Sequence, residues 1–406
     1  MLDIKFIREN AKLVKEKSKQ KGYDVDVDKL LKVDDQRRKL IEEVDLIRSN
    51  RKKAADARDE KKGQALKSEL KDKENKLEKL QEEYYALIRQ VPNLPKDDVP
   101  VGINDSENQS LREEGKIPQF DFKPKDHLEL GLELDLIDID RASKISGSRF
   151  AYLKNELVKL EFALVQYVFE TLKDDNFIPI IPPVLINKSP VEGLGYPEYE
   201  RGEGYKIDDQ YLVGTAEHAV VPMHKDETFL PSDLPKRYLA FSTAFRKEAG
   251  SYGKDTRGIF RVHQFDKLEM VSFVHPKDED KEHEFLLSTE EKLMKGLELP
   301  YRVVSICTGD LGFPASRKYD IEAWLPSQNQ YRETHSVSNC GQFQARRLNI
   351  KYKDANESDY VSILNGTAFA IGRTLIAIME NYQQKDGSIV VPKVLQKYAG
   401  FNKIPA

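Results

Sequence analysis

Cysteine is scarce in this chain of 406 residues, which contains only Cys307 and Cys340. Neither cysteine belongs to a CxxC or Cys/His spacing of the kind that builds a zinc site or a disulfide framework. Long uncharged apolar runs are also missing, and Met1 to Asn10 mixes charged with apolar residues. We therefore expect a cytoplasmic protein in a reducing compartment, with no signal peptide, no zinc and no membrane partner.

Glycine-rich phosphate loops are absent as well, because neither GxGxxG nor GxxxxGK[ST] occurs. Any nucleotide site must therefore be of another kind. The formal net charge of -4 gives no overall attraction for nucleic acid, but the charges are unevenly distributed, and the distribution matters more than the sum. The length favours two or three domains.

Residues 28–91 lack proline and contain one glycine, Gly63, among many Lys, Arg, Glu, Asp, Leu and Ala residues. This composition favours long helices, and apolar residues recur at coiled-coil spacing on both sides of Gly63. We predict an antiparallel two-helix arm that turns at Gly63. Its outer part, Arg48 to Lys79, has 12 basic and 7 acidic residues. Such a basic hairpin could bind the backbone of an RNA, although most charged coiled coils bind protein or nothing.

Proline-bearing sequence of weak periodicity follows, from Pro92 to about Asp126. We predict an N-terminal helical domain at residues 1–105, a linker at 106–126 and a second domain at 127–406. In the second domain, helical patterns alternate with many short runs that resemble strands, some of them separated by short turns. The predicted fold class is α+β, an antiparallel sheet with flanking helices.

The sequence FRKEAGSYGKDTRGIFRVHQFDKLE, residues 245–269, is typical of two strands joined by a charged loop. Residues two or four apart on a strand share a face. One face would then carry two arginines, two carboxylates and an aromatic ring: Arg246, Glu248, Arg261, Phe265 and Glu269. This set suits a nucleotide and an amino acid held side by side. A solvated strand face with paired charges is the alternative that the pattern alone leaves open.

The same sequence resembles motif 2 of the class II aminoacyl-tRNA synthetases, and the whole chain is similar to the seryl-tRNA synthetase family. NFIPIIPPVL, from Asn176, resembles motif 1, which forms the dimer interface in these enzymes, and LNGTAFAIGRTLIAIMENYQ, from Leu364, resembles motif 3. YLVGTAEHAV resembles the TxE loop of the family, and YRETHSVSN its stretch of metal and phosphate ligands. The class I motifs HIGH and KMSKS do not occur. The resemblance implies a class II catalytic domain that works as a homodimer.

The resemblance also implies roles for particular residues. Catalysis is expected from Arg246, Arg373 and Glu333. Serine is expected to contact Thr215, Ala216, Glu217, Arg246, Glu269, Asn365 and Thr367. ATP is expected to contact Arg246, Lys247, Glu248, Val262, Phe265, Glu333, Thr334, His335, Ser336 and Arg373. Mg²⁺ is expected at Glu333 and Ser336, but not at His335, because magnesium prefers oxygen ligands. The tRNA is expected to contact Arg51, Lys52, Lys53 and Arg58.

The implied reaction activates L-serine with ATP to seryl-adenylate and pyrophosphate, then transfers the seryl group to tRNA(Ser), with tRNA(Sec) as a candidate second acceptor. Two rival functions remain to be weighed. A ligase that delivers amino acids to a carrier protein would resemble the catalytic region but lack the arm. An inactive synthetase-like scaffold would keep the arm, but several intact residues argue against it: Arg246, Glu248, Phe265, Glu269, Glu333 and Arg373.

Overall fold

The computed structural model describes residues 1–196, 204–248, 257–355 and 357–406. Its chain divides into two compact units, Met1–Leu94 and Pro95–Ala406. None of the described helices is long and apolar enough to cross a membrane.

The first unit is helical. Two short helices precede two long antiparallel ones, and the four are α1 (Ile4–Glu9), α2 (Ala11–Gln20), α3 (Val27–Asp56) and α4 (Glu60–Ile88). A cluster that includes Ile7, Leu30 and Ile88 holds the base of the pair together. Val44, Ile47 and Leu70 form a second cluster farther along the pair. The predicted two-helix arm is therefore present.

The arm turns earlier than the predicted Gly63. The chain reverses between Asp56 and Glu60, where Arg58 has a φ of +55°. Asp59 then caps α4, because its carboxylate accepts a hydrogen bond of 3.1 Å from the backbone N–H of Lys62. The side chain of an aspartate cap accepts a hydrogen bond from a free backbone N–H of the first helical turn, whereas glycine has no side chain to do so. Gly63 lies inside the first turns of α4 instead, so the prediction of its place was wrong.

The second unit is built on an eight-stranded sheet in the order β1-β11-β12-β13-β16-β10-β9-β4. Its strands, in the order of the chain, are β1 (Gln109–Glu114), β4 (Phe177–Ile180), β9 (Lys236–Phe245), β10 (Gln264–Val274), β11 (Tyr301–Ser305), β12 (Arg317–Leu325), β13 (Gln330–Asn339) and β16 (Ser362–Ala370). Neighbouring strands are antiparallel, except that the edge strand β4 runs parallel to β9. The predicted α+β class with a large antiparallel sheet is confirmed.

Shorter elements surround this sheet. The small strands are β2 (Ile137–Asp138), β3 (Tyr152–Leu153), β5 (Leu185–Asn187), β6 (Lys206–Ile207), β7 (Gln210–Leu212), β8 (Thr228–Phe229), β14 (Lys351–Lys353), β15 (Ser358–Tyr360), β17 (Ile389–Val390) and β18 (Lys403–Ile404). The helices are α5 (His127–Glu133), α6 (Ile139–Ser146), α7 (Glu156–Thr171), α8 (Lys188–Leu194), α9 (Glu217–Val220), α10 (Glu279–Gly296), α11 (Phe343–Leu348), α12 (Ile371–Asn381) and α13 (Lys393–Ala399).

The segment predicted as a linker, residues 106–126, contains strand β1. This strand pairs with β11 from Gln109 to Glu114 and so belongs to the main sheet. Its sequence, QSLREE, has only one large apolar residue and is mostly exposed. An edge strand of this kind is held by its backbone hydrogen bonds, so the hydrophobic alternation that reveals other strands is missing.

The two faces of the sheet have different coverings. One face packs against α7, α10 and α12 in the largest hydrophobic cluster, which includes Leu268, Met270 and Phe369. Side chains alternate along a strand, so residues 265, 267 and 269 of β10 point to the opposite face. Part of that face is covered by α8, α9 and α11, and the remainder lines two adjoining pockets.

Candidate active site

Two pockets adjoin on this face of the sheet, where β9, β10, β13 and β16 come together. The first pocket has an empty volume of about 570 Å³, which includes space open to solvent, and is lined by Phe260, Val262, Phe265 and Arg373 among others. The second has an empty volume of about 1220 Å³, also partly open to solvent, and is lined by residues that include Thr215, Glu217, Glu269 and Asn365. Six residues line both pockets and mark their junction: Arg246, Glu248, Arg261, Lys267, Glu333 and Ser336.

Cations and aromatic rings face each other in the first pocket. The guanidinium carbon of Arg246 lies 5.4 Å from the ring centre of Phe265. That of Arg373 lies 4.9 Å from the ring centre of Phe260. Arg373 also forms an ion pair with Glu333, with 3.2 Å between Nη1 and Oε2. A planar base can stack on such a ring while the guanidinium groups neutralise phosphate oxygens.

Glu248 reaches the junction by a different route from the one predicted. Strand β9 ends at Phe245, so Arg246 and Glu248 do not share a strand face, and Arg261 precedes the start of β10. Glu248 adopts a φ of +49°, and its Oε2 lies 3.2 Å from Arg261 Nη1. Both side chains still line the pockets. Most of the predicted loop, residues 249–256, lies outside the described residues.

The second pocket is closed by the segment that resembles the TxE loop. Arg246 Nε donates a hydrogen bond of 2.9 Å to the carbonyl oxygen of Gly214 and so ties this segment to the junction. Both oxygens of Glu217 accept from the Tyr196 hydroxyl, at 2.8 and 2.9 Å. Gln344 Nε2 donates to the same carboxylate at 2.8 Å. Burial raises the pKa of the Glu217 carboxyl. These contacts fix its orientation before any ligand binds.

Lys267 is a member of the site that the sequence analysis missed. Its ammonium group forms an ion pair with Glu269 and lies 3.4 Å from Thr215 Oγ1. It therefore links two segments of the second pocket that are far apart in the sequence. Burial raises the pKa of Glu269 to about 7, even though Lys267 lowers it. The alternation of residues 265, 267 and 269 along β10 was the signal that could have revealed Lys267.

Glu333 and Ser336, the predicted magnesium ligands, both lie at the junction of the pockets. Burial alone would raise the pKa of Glu333, but the charges of Arg373 and Lys318 outweigh it and lower that pKa to about 2. An ionised carboxylate beside a hydroxyl suits Mg²⁺, which commonly takes one or two protein oxygens and completes its shell with phosphates and water. Within the described ranges, no group of three His, Cys, Asp or Glu residues could hold a metal ion by itself.

The remaining predicted residues fall into three groups. Lys247 lines the second pocket, and Thr334 and Thr367 line the first. Thr367 is also the partner of Glu269 in the pairing of β16 with β10. Ala216 and His335 line neither pocket.

Ala216 and His335 are placed differently from the sequence-based expectation. Ala216 is fully buried in the hydrophobic cluster under the second pocket. The ring of His335 lies 5.4 Å from that of Phe369, on the core side of the sheet. The register of β12 and β13 shifts between Ile321 and Glu322, and such a shift changes which side chains point to which face. The ring of His335 therefore points away from the two pockets, and its predicted contact with ATP stays a prediction.

The four predicted RNA-contact residues lie in the first unit. Arg51, Lys52 and Lys53 are exposed near the end of α3, and Arg58 is exposed in the turn that follows. Their charges are therefore available to solvent at the outer end of the arm.

Comparisons with known proteins agree with this geometry. Residues 203–382 match the family described as tRNA synthetase class II core domain (G, H, P, S and T). Together with the antiparallel sheet and the arginine-lined junction, this match defines the second unit as the catalytic core of a class II aminoacyl-tRNA synthetase. Residues 1–95 match the seryl-tRNA synthetase N-terminal domain. The chain belongs to the seryl-tRNA synthetase family.

Individual relatives cover the whole chain. A serine--tRNA ligase of Dictyoglomus thermophilum is 45% identical to this chain, and the match covers 100% of this chain and 99% of the length of that protein. The crystal structure of seryl-tRNA synthetase from Pyrococcus horikoshii complexed with ATP has a TM-score of 0.93, with 40% identity and full coverage of both chains. A cytoplasmic serine-tRNA ligase from Naegleria fowleri in complex with AMP has a TM-score of 0.90 and 32% identity, and covers 100% of this chain and 99% of its own.

Proposed function

We propose that this chain is a serine–tRNA ligase that activates L-serine with ATP and transfers the seryl group to the 3′ end of tRNA(Ser). The observation that carries the proposal is the junction of the two pockets, where two arginines, a lysine and two glutamates meet. In the proposed arrangement ATP fills the first pocket and serine fills the second. Full-length similarity to serine--tRNA ligases supports the choice of substrates.

In the first step, a serine carboxylate oxygen attacks the α-phosphorus of ATP. A new O–P bond forms, the bond from the α-phosphorus to the bridging oxygen breaks, and pyrophosphate leaves. The carboxylate is ionised at neutral pH, so no side chain has to remove a proton. Arg246 lies at the junction and can hold both reacting groups, while Arg373 can neutralise the pyrophosphate. To bind phosphate, the Arg373 guanidinium must give up part of its ion pair with the Glu333 carboxylate.

Magnesium, when bound at Glu333 and Ser336, would neutralise charge on the phosphates. Arg373 and Lys318 keep the Glu333 carboxylate ionised, so it is ready to bind a divalent cation. The fit of the oxygen ligands supports this assignment, and the same chemistry gives no reason to invoke zinc.

The lining of the first pocket and of its junction with the second supports a set of nucleotide contacts. We propose that Phe265 stacks on adenine beside Val262, with Glu248 at its exocyclic amine and Lys247, Thr334 and Ser336 around the phosphates. For serine, Thr215 and Glu217 would hold the amino group, and Glu269 and Thr367 the side-chain hydroxyl, with Asn365 at the wall of the pocket. A buried partner for the hydroxyl penalises alanine and glycine, because the polar site would be left unpaired.

In the second step, a hydroxyl of the terminal ribose of tRNA attacks the acyl carbon of seryl-adenylate, and AMP leaves. We propose that the exposed cations of the arm, Arg51, Lys52, Lys53 and Arg58, contact the RNA backbone, with tRNA(Sec) as a candidate second acceptor. The match of residues 1–95 to a seryl-tRNA synthetase domain supports this role. A cytoplasmic location fits the small number of cysteines, Cys307 and Cys340, which are both buried.

We also propose a homodimer through the region that resembles motif 1. Several large apolar side chains on α7 and β4 or just after β4 are exposed, although such residues are normally buried: Val158, Phe162, Ile178 and Ile181. Their exposed fractions reach 60% at Phe162 and 80% at Ile181. A patch of this kind marks an interface more often than free surface.

The decisive experiment measures ATP–pyrophosphate exchange with each of the common amino acids and aminoacylation of bulk tRNA. The proposal requires exchange that depends on serine and charging of serine-accepting tRNA. Exchange with serine but no charging would favour a ligase that serves a carrier protein. The absence of exchange with every amino acid, in folded protein that contains Mg²⁺, would leave an inactive scaffold.

A further inference from the structure

His127 is a buried side chain that the proposed mechanism does not use, yet it contacts the wall of the first pocket. It is the first residue of α5 and is 6% exposed. Its Nε2 accepts a hydrogen bond of 3.2 Å from the backbone N–H of Ile259. The acceptor role means that Nε2 carries the lone pair, so the ring proton lies on Nδ1 in this arrangement.

The other side of the ring faces the helix that carries Arg373. Nδ1 lies 3.4 Å from Glu380 Oε1, and the backbone N–H of His127 donates to the same oxygen at 3.1 Å. Glu380 is fully buried, and its second oxygen accepts from the backbone N–H of Ser327 at 3.1 Å. Both Glu380 and Arg373 belong to α12. A carboxylate on Nδ1–H fixes the tautomer and the orientation of the imidazole.

The segment between His127 and α12 is tightly fitted. Gly258 has a φ of +71°, and a Cβ at that position would lie 2.0 Å from His127 Nε2. On the other side, a Cβ at Gly372 would lie 3.4 Å from the carbonyl oxygen of Ile259. The backbone of residues 258–259 is therefore held between the imidazole ring and the first turn of α12.

Phe260 and Arg261, the next two residues, line the first pocket. The ring of Phe260 faces Arg373, and Arg261 pairs with Glu248, as described above. A displacement of the backbone at Ile259 would move both Phe260 and Arg261. Arg373 would then lose the ring it faces, and Glu248 would lose its partner. Such small misplacements at a site that aligns charged groups are costly to binding and to rate.

We infer that His127 is a positioning residue for ATP, which anchors the backbone of Ile259 to α12 and thereby fixes Phe260 and Arg373 in the first pocket. The inference rests on the proposed function only in naming ATP as the ligand of that pocket. Serine, in the second pocket, should be affected much less.

Two amides that differ by one methylene group test this role. His127→Asn keeps a polar group near Glu380 but is too short to reach the N–H of Ile259. His127→Gln can place an acceptor near the position of Nε2. We expect the Asn variant to raise the KM for ATP in pyrophosphate exchange about tenfold, the usual size of effect for one lost buried hydrogen bond. Its KM for serine should change less than about threefold, and the Gln variant should stay close to the parent in both.

His283→Asn is the matched control. His283 is also buried, and it joins α10 to the sheet because its Nε2 lies 3.2 Å from the carbonyl oxygen of Val337. This variant should lower the melting temperature without changing the ratio of the two KM values. A general structural effect would instead give the same pattern in both Asn variants.

Three results would overturn the inference: an unchanged KM for ATP in His127→Asn, equal increases for ATP and serine, or equal damage in the Asn and Gln variants. Calorimetric binding of ATP to each folded variant, without serine, gives a second readout. A parent that shows no exchange with serine would contradict the proposed ligase, whereas the ATP affinities would still decide the role of His127. If His127→Asn does not fold, a Gln variant with weakened ATP binding would also overturn the inference.

Discussion

At the scale of single residues, Glu333 and Glu269 differ in how neighbouring charges balance the cost of their burial. Glu333 in the junction is surrounded by cations and remains ionised. Glu269 is 1% exposed and meets both signs of charge, with Lys267 and Arg246 on one side and Glu217 and Glu290 on the other. Burying an ionised carboxylate away from water is costly, and at Glu269 the nearby cations offset only part of that cost.

The first residue-scale prediction concerns Glu269, the proposed partner of the serine hydroxyl. Glu269→Ala should raise the KM for serine by about 10²-fold or more, because a buried polar contact to the substrate is lost. The KM for ATP in the same exchange assay should change less than about threefold. Serine kinetics equal to those of the parent would contradict the assignment of Glu269 as the partner of the serine hydroxyl.

The second residue-scale prediction concerns pH. Burial raises the pKa of Glu269 to about 7, so the carboxylate needed for serine is lost as the pH falls through that value. The KM for serine should therefore rise on acidification. Lys267 lowers this pKa, so in Lys267→Met the rise should begin at a higher pH. The measurement is the KM for serine between about pH 6 and about pH 8.5, a range that spans the raised pKa of Glu269. Lys267→Arg is the control that keeps the charge, and identical pH profiles for Met, Arg and parent would refute the idea.

At the scale of elements, the arm and the sheet carry different parts of the proposed function. The helices α3 and α4 run for 30 and 29 residues and present exposed cations at their outer end. Their apolar contacts form a narrow seam, which holds the pair together but leaves the other sides to water. The second unit instead brings charged residues from β10, β13, α12 and the segments next to β9 and β10 together around the junction.

The element-scale prediction separates these two parts. Charge reversal of Arg51, Lys52 and Lys53 to Glu should leave serine-dependent exchange unchanged but weaken tRNA binding about tenfold or more, because three phosphate contacts become repulsive. The loss should be read from the KM for tRNA at several salt concentrations. Lys5, Lys12 and Lys19 are also exposed in the same unit, and their reversal to Glu is the charge-matched control. Equal losses in both triple variants would show that net charge, rather than the arm, is responsible.

At the scale of the whole molecule, the exposed apolar patch on α7 and β4 predicts a dimer. Val158 and Phe162 are four residues apart on α7 and so lie on one face. Phe162→Glu should weaken the dimer by about 10²-fold or more, since each copy loses the burial of an aromatic ring and the contact occurs twice in a two-fold assembly. Sedimentation over a range of protein concentrations measures this. Ile103→Glu, at an 83% exposed apolar residue near the opposite edge strand β1, is the control. A parent that is monomeric at all concentrations would contradict the proposed dimer.

Much of the site was predictable because its side chains occur in short, regular patterns. The alternation along β10 indicated Phe265 and Glu269 and should also have indicated Lys267. Other features had no local signal. The turn of the arm is set by Asp59 capping α4 rather than by Gly63, and β1 has too few apolar residues to stand out. The partners of Glu217, Tyr196 and Gln344, are 148 residues apart in the chain.

The sequence by itself determined the two-helix arm, the α+β class, the family and most of the charged residues that line the two pockets, since periodicity and motif spacing are properties of neighbouring residues. Only the tertiary structure decided which of those charges meet. It put Lys267 beside Thr215, turned His335 into the core and set His127 beside Ile259, 132 residues away. Such contacts depend on packing between distant segments, where burial and the neighbouring charges fix both the position and the ionisation of each side chain.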